Sequence, residues 1–169
     1  MKPLLIVDGY NVIGAWKTAS KENLSLDESR DRLRIMLEDY CGYTGQEVIL
    51  VFDGYQSERI QRSEEVFGNL TQVFTKHSET ADSYIERITA KAPKYREVRV
   101  ATSDSLEQSQ IFSTGAIRIS SQELLRELHS IRNRELDLHQ TVSMRKNRLG
   151  ERLSNEIQFK LEEIRRRSE

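Results

Sequence analysis

Acidic side chains follow the short apolar runs of this sequence, at the point where each run ends. The acids after the first four runs are Asp8, Asp53, Glu79 with Asp82, and Asp104. If the runs are parallel strands, their carboxyl ends meet at one edge of a sheet, so these side chains converge. Carboxylates brought together repel one another, and a divalent cation relieves that repulsion. The spacing therefore predicts a metal site at this edge.

Mg²⁺ or Mn²⁺ is the cation that these side chains favour. Carboxylates are hard oxygen ligands, and no pair of His or Cys residues accompanies them as zinc would require. His77 precedes Glu79 closely, but a single histidine is more often a surface or hydrogen-bonded residue than a ligand. The sequence also lacks a phosphate-binding loop, a dinucleotide fingerprint and a nucleophile elbow, which argues against NTPases, dinucleotide enzymes and serine hydrolases.

Three uncharged polar residues accompany the acids. Asn11 lies three residues after Asp8, and its amide can hold a metal-bound water or a phosphate oxygen although it cannot offset negative charge. The hydroxyls of Thr102 and Ser103, just before Asp104, can do the same. Each acid also has a structural interpretation, as a turn or helix-capping residue. Independent turns would not place an acid after strand upon strand at the same end, which favours a functional site.

The apolar runs alternate with segments of helical spacing, which predicts a three-layer α/β domain with a mostly parallel sheet. Five strands are predicted, over residues 4–7, 48–52, 70–74, 97–101 and 116–119. The first two are apolar on both faces and should be central. Helices are predicted to start after Asn11, at Ser25, near Thr80, at Ser105 and at Ser120. Residues 54–69 show weak periodicity and predict a mobile loop or a short irregular helix.

The C-terminal region predicts a helical extension, so the 169 residues are divided into a domain at 1–138 and an extension at 139–169. Residues 1–139 carry 18 basic and 22 acidic side chains, whereas residues 140–169 carry 8 and 5. A polyanion would therefore meet the tail more readily than the body. An apolar stripe of Leu149, Leu153, Ile157, Leu161 and Ile164 should be buried against the domain body, a second copy of the chain or a partner. The basic residues Arg145, Lys146 and Arg148 on its other side are candidates for binding a polyanion such as RNA.

Composition narrows the class of protein further. The net charge of −1 gives no general argument for a nucleic acid or a membrane partner. No apolar run is long enough to span a bilayer, so we expect no membrane partner. The single cysteine, Cys41, lies on the apolar side of a helical pattern, which fits a reducing compartment. The expected location is the cytoplasm, or a plastid stroma if a transit peptide has been removed.

The motifs "VDGYNVI", "VFDG", "TAD" and "ATSD", in this order and spacing, resemble the NYN domain, a relative of the PIN nucleases, and most closely its YacP-like branch. The resemblance covers roughly residues 3–135. It implies a PIN-like sheet and metal-dependent endonucleolytic cleavage of RNA, with mRNA at the ribosome as the expected setting. It also implies that Asp8, Asp82 and Asp104 hold the metal and that Asn11 is the polar residue of the first motif.

The expected reaction is hydrolysis of an RNA phosphodiester that leaves a 5′-phosphate. One or two Mg²⁺ or Mn²⁺ ions would activate water and neutralise charge on the phosphate, with Asp53 or Glu79 orienting the water. The alternative is a non-catalytic RNA- or ribosome-binding module with a vestigial acidic site. A phosphatase that uses Asp8 as nucleophile is disfavoured, because position 10 is Tyr rather than the second acid that such chemistry requires. The sequence leaves the oligomeric state open.

Overall fold

The computed structural model describes residues 1–19, 24–54, 62–103 and 115–134. Within them lie six strands: β1 (Leu4–Asp8), β2 (Glu47–Phe52), β3 (Ser63–Phe67), β4 (Leu70–Phe74), β5 (Val98–Ala101) and β6 (Ile117–Ile119). The helices are α1 (Gly9–Ala19), α2 (Leu26–Thr44), α3 (Ala81–Lys91) and α4, which is described over 121–134. No described helix is long and apolar enough to cross a membrane.

The strands form one sheet in the order β3-β4-β2-β1-β5-β6. All neighbours are parallel except β3 and β4, which form an antiparallel hairpin. The predicted central strands, β1 and β2, lie side by side in the middle, with Asp8 opposite Val51. The carboxyl ends of five strands therefore lie along one edge of the sheet, hereafter the carboxyl edge, where ligands of such sheets bind.

Helices cover both faces of the sheet, because the central strands present apolar side chains in both directions. On one face Leu5 and Val7 pack with residues of α1, α2 and α4, such as Leu33 and Leu124. On the other face Leu4 and Ile6 pack with residues of α3, including Tyr84 and Ile85. The three-layer arrangement is the one that the sequence predicts.

Local sequence signals fix where the helices begin. Ser25 and Glu28 form the predicted capping box of α2, with each side chain bonded to the other residue's backbone N–H. Ser120 and Glu123 repeat this pattern before α4, and the Thr80 side chain accepts from the N–H of Ser83 at the start of α3. These caps satisfy N–H groups that have no partner inside the helix.

Three sequence-based expectations differ from the structure. Residues 63–67 form strand β3 rather than a loop or an irregular helix, and the polar side chains of β3 suit an exposed edge of the sheet. A two-residue turn, Gly68-Asn69, joins β3 to β4, and Gly68 has a φ of +60°. Helix α1 begins at Gly9, directly after Asp8, and not beyond Asn11. The glycines Gly42 and Gly45 predict the end of α2, but Gly42 lies inside the helix, which ends at Thr44 and is capped by Gly45, whose φ of +69° suits glycine.

The contacts divide the chain into Met1–Ile131 and Arg132–Glu169, and only residues 132–134 of the second unit are described. The helix predicted at Ser105, the predicted boundary between 138 and 139, and the apolar stripe that begins at Leu149 lie outside the described residues.

Candidate active site

Asp8 is the last residue of β1 and lies at the centre of the carboxyl edge, where only 9% of it is exposed. Its Oδ1 accepts a hydrogen bond of 3.1 Å from the backbone N–H of Asn11, in the first turn of α1. Asp8 therefore caps α1, and the positive end of the helix faces its carboxylate. Its structural role is thus that of a helix cap rather than a residue that begins a turn with Gly9, and this role does not account for the burial of the charge.

Burial raises the pKa of Asp8 from the ordinary 3.8 to about 6. The backbone N–H groups of Asn11 and Tyr10 act in the opposite direction, since they stabilise the ionised form. The negative charges of Asp82 and Asp53 raise the pKa further. Carboxylates from two other segments of the chain thus act on the charge of Asp8.

Two Asp-Gly pairs, at the ends of the neighbouring strands β1 and β2, share a requirement for glycine. A Cβ on Gly9 would lie 2.2 Å from the ring of Phe52, and a Cβ on Gly54 would lie 1.8 Å from the carbonyl oxygen of Thr75. The N–H of Gly54 also donates to the buried Oγ1 of Thr75, at 2.9 Å. The backbone after Asp8 lies against a side-chain ring, and the backbone after Asp53 lies against another backbone segment, and only glycine permits this close packing at either strand end.

Asp82 and Glu79 follow β4 but have different surroundings. Asp82 is exposed in the first turn of α3, and its negative charge raises the pKa of Asp8. Glu79 is mostly buried, and its two oxygens pair with Arg62 at 2.7 Å and Arg87 at 2.8 Å. Both guanidinium groups also lie over the ring of Tyr84. The carboxylate of Glu79 is thus engaged by two arginines, an arrangement that its position in the sequence does not reveal.

Asn11 joins three elements through its amide oxygen. Its Oδ1 accepts from the N–H of Ser103, at 2.9 Å, and from the buried hydroxyl of Ser121, at 2.8 Å. The Oγ of Ser103 in turn accepts from the N–H of Ser121. Because the oxygen is used in this way, the amide NH₂ is the group that remains for a ligand, and it suits a water or phosphate oxygen rather than a cation. Ser121 is a further site residue, which no pattern in the sequence indicates.

The two other hydroxyl residues proposed for the site differ in access. Thr102 is fully buried, and its N–H donates to the carbonyl of Ile119. Ser103 is exposed and takes part in the Asn11 network. Asp104 and the proposed RNA-binding residues Arg145, Lys146 and Arg148 lie outside the described residues.

Aromatic side chains border the acids, which the sequence analysis did not predict. The rings of Tyr10 and Phe52 lie 5.1 Å apart, and those of Phe52 and Phe74 lie 5.3 Å apart. The guanidinium of Arg30 lies 5.8 Å from the centre of the Phe74 ring and donates to the Tyr10 hydroxyl. In the sequence, Tyr10 lies two residues after Asp8 and Phe52 directly precedes Asp53, and this proximity is the feature that indicates aromatic rings beside the acids.

The carboxylate oxygens at this edge are the type of ligand that a hard divalent cation prefers. Asp8 is a buried carboxylate whose pKa is raised by burial and by two further carboxylates, and a bound cation would offset this repulsion. Within the described ranges, however, no three His, Cys, Asp or Glu side chains are grouped closely enough to hold a metal ion. Asp104, the third expected ligand, is not among the described residues.

The mostly parallel sheet, covered by helices on both faces and with carboxylates along its carboxyl edge, has a PIN-like fold. Residues 5–166 match the family described as the YacP-like NYN domain, and the chain belongs to that family. The resemblance seen in the motifs is thereby confirmed, and the match continues well past residue 135. The family is nuclease-like and related to RNA function.

Curated and solved relatives agree with this membership. The chain is 41% identical over 134 residues to "Uncharacterized protein YacP" of Bacillus subtilis (strain 168), which covers 78% of each chain. It also matches the crystal structure of Rae1 (YacP) from Bacillus subtilis, with a TM-score of 0.72 and 38% identity over 98% of this chain and 95% of that one. The crystal structure of a point mutant of Rae1 matches with a TM-score of 0.65 and 40% identity over 78% of each chain.

Proposed function

We propose that this protein is an endoribonuclease that requires Mg²⁺ or Mn²⁺ and hydrolyses RNA phosphodiester bonds. The observation that carries the proposal is the buried carboxylate of Asp8, whose charge is opposed by the charges of Asp82 and Asp53. Such an arrangement costs free energy in the absence of a cation and so calls for a function. Membership of the YacP-like NYN family supports RNA as the substrate.

In the proposed mechanism Asp8, Asp82 and Asp104 would hold the cation. When bound, the cation would polarise the scissile phosphate, neutralise its developing charge and lower the pKa of the attacking water. Asp53, whose charge acts on Asp8, orients that water. Asn11 donates its NH₂ to a phosphate oxygen. Attack of water on phosphorus breaks the bond to the 3′ oxygen and leaves a 5′-phosphate and a 3′-hydroxyl.

We further propose that the RNA is mRNA presented at the ribosome in the cytoplasm. Residues 1–139 carry a net negative charge, which opposes the capture of free RNA by electrostatic attraction. A larger partner that presents the RNA removes this difficulty. The basic residues Arg145, Lys146 and Arg148 of the C-terminal extension would then contact the RNA backbone.

The test is cleavage of RNA by the wild type, Asp8→Asn and Asp82→Asn, with Mg²⁺, with Mn²⁺ and with a chelator. Both variants are expected to lose activity by roughly two or more orders of magnitude while remaining folded, because each removes a charge that holds the cation. Asp39→Asn, an exposed position on α2, is the matched control. Persistent cleavage in the chelator, or by Asp8→Asn, would refute the proposal.

Asn11→Asp separates two roles of the amide. An aspartate retains the acceptor for Ser103 and Ser121, so this network should be kept, but it removes the NH₂ donor, so activity should fall. Binding of RNA without any cleavage by the wild type would instead favour the non-catalytic module.

A further inference from the structure

The amino ends of the parallel strands form a second surface, opposite the acids. We define the basic face as Lys2, Lys91, Lys94, Tyr95 and Arg96, which lie before β1, at the end of α3 and in the connection to β5. Two carboxylates, Glu47 and Glu97, lie among these four cations. The surface is therefore positive although the whole chain has a net charge of −1.

A cleft of about 410 Å³ opens on the basic face. Its apolar lining includes Ala92, Pro93, Val98 and Ala116, and Lys94 and Arg96 supply its charge. Pockets for small organic groups combine an apolar lining with a few polar groups in this way, and this volume lies within their usual range.

Tyr95 lies between the two cationic lining residues and is 82% exposed. The ring is therefore available for stacking with a base, and the neighbouring cations favour contact with a polyanion. Arg96 is fixed, since its Nε donates to the carbonyl of Lys2 at 2.9 Å and its guanidinium pairs with Glu47. The exposed Lys91 and Lys94 lie on either side of Pro93 and carry charge at the surface.

We propose that the basic face binds single-stranded RNA. A base stacks on Tyr95 beside the cleft, and the flanking phosphates contact Lys91 and Lys94. An exposed aromatic ring with adjacent cations is the combination that proteins use for single strands, whereas an acidic peptide would not require the ring. The inference rests on the proposed function in taking RNA as the ligand.

The position of the basic face separates binding from chemistry. The basic face lies roughly 15 Å from the carboxyl edge, because a strand of the length of β1 rises about 3.3 Å per residue. RNA held there is not the nucleotide that is cleaved. Loss of the basic face should therefore raise KM for long RNA and leave kcat for a short RNA unchanged.

The experiment measures binding of a fluorescent unstructured RNA oligonucleotide to full-length protein in an Asp8→Asn background, which prevents cleavage. Tyr95→Ala should weaken binding roughly tenfold, since stacking of a base on an aromatic ring contributes about that factor or more. The double variant Lys91→Ala and Lys94→Ala should reduce the slope of log K against log salt by about 1.4, because each lost phosphate contact removes about 0.7 from the slope. Tyr43→Ala and Lys17→Ala, exposed residues on α2 and α1, are the matched controls.

Unchanged affinity and salt slope in both variants would overturn the proposal. Loss of ribosome binding without loss of binding to protein-free RNA would overturn it as well, because the occupant would then be a surface of the ribosome rather than single-stranded RNA. Cleavage by the wild type is measured separately. If RNA binding depends on Tyr95 but the wild type does not cleave RNA, the proposed nuclease activity is refuted and the proposed RNA binding by the basic face is supported.

Discussion

At the scale of single residues, Asp8 combines a structural and a chemical role. Its carboxylate caps α1 through the N–H of Asn11, yet burial and two neighbouring acids oppose its charge. A residue selected only as a helix cap would gain nothing from this environment, since Asn and Ser cap equally well without a charge. The cost of ionising Asp8 is therefore the clearest sign of function at this edge.

The pKa of Asp8 predicts how stability depends on pH in the absence of metal. The unfolded chain releases this proton near 3.8 and the folded chain only near 6, so the folded state binds more protons between these values. Stability from this group is therefore fully present below the unfolded pKa and is lost as pH rises through about 6. The loss at neutral pH is about 3 kcal/mol at most, from 1.36 kcal/mol per pKa unit.

Asp8→Asn should consequently unfold at a higher denaturant concentration than the wild type at neutral pH in a chelator, because asparagine keeps the cap and removes the charge. The difference should vanish below the ordinary pKa of 3.8. Asp8→Ala serves as a control, since it removes the cap as well and forfeits about 1 kcal/mol. An Asp8→Asn protein that is less stable than the wild type at neutral pH would show that the ionised form is structural.

At the scale of elements, most strands and helices follow from local patterns, and the departures have physical causes. β1 and β2 are apolar on both faces, so their central position can be read from the sequence. β3 escapes prediction because its exposed polar residues are ordered by pairing with β4 rather than by burial. The site is predictable only in part: the acids follow strand ends, whereas the links from Asn11 to Ser103 and Ser121 span about a hundred residues.

The Asp-Gly pairs at the ends of β1 and β2 yield a prediction at this scale. Gly54→Ala should destabilise the fold by about 1–3 kcal/mol or more, because its Cβ would meet the rigid carbonyl of Thr75. Gly9→Ala should also destabilise, with the fully buried ring of Phe52 as the obstacle. Gly14→Ala in α1 is the matched control; its Cβ meets nothing within 4 Å, and alanine should add about 0.5–1 kcal/mol to helix stability. Denaturant unfolding of the three variants measures these differences, and a neutral Gly54→Ala would disprove the steric argument.

At the scale of the whole molecule, negative side chains lie at the carboxyl ends of the parallel strands and positive side chains lie at their amino ends. The carboxyl edge carries Asp8, Asp53 and Asp82, while the amino ends carry the basic face. A cation at the carboxyl edge would reduce the negative charge there, so the RNA backbone could approach. Without the cation, the net negative charge of residues 1–139 opposes this approach. Metal binding, stability and RNA binding should therefore be coupled in this protein.

The last prediction tests that coupling. Adding Mn²⁺ or Mg²⁺ to chelator-treated protein should raise the free energy of unfolding, by about 2.7 kcal/mol when the free metal is at about 100 times its Kd, because the ion binds only the folded state. Asp82→Asn should reduce this gain, whereas Asp39→Asn, remote on α2, should not. The gain should also grow as pH rises through about 6, where Asp8 ionises and its proton no longer competes with the metal. Thermal or denaturant unfolding at two pH values measures both effects, and a midpoint that does not respond to millimolar metal at either pH would refute a preformed site.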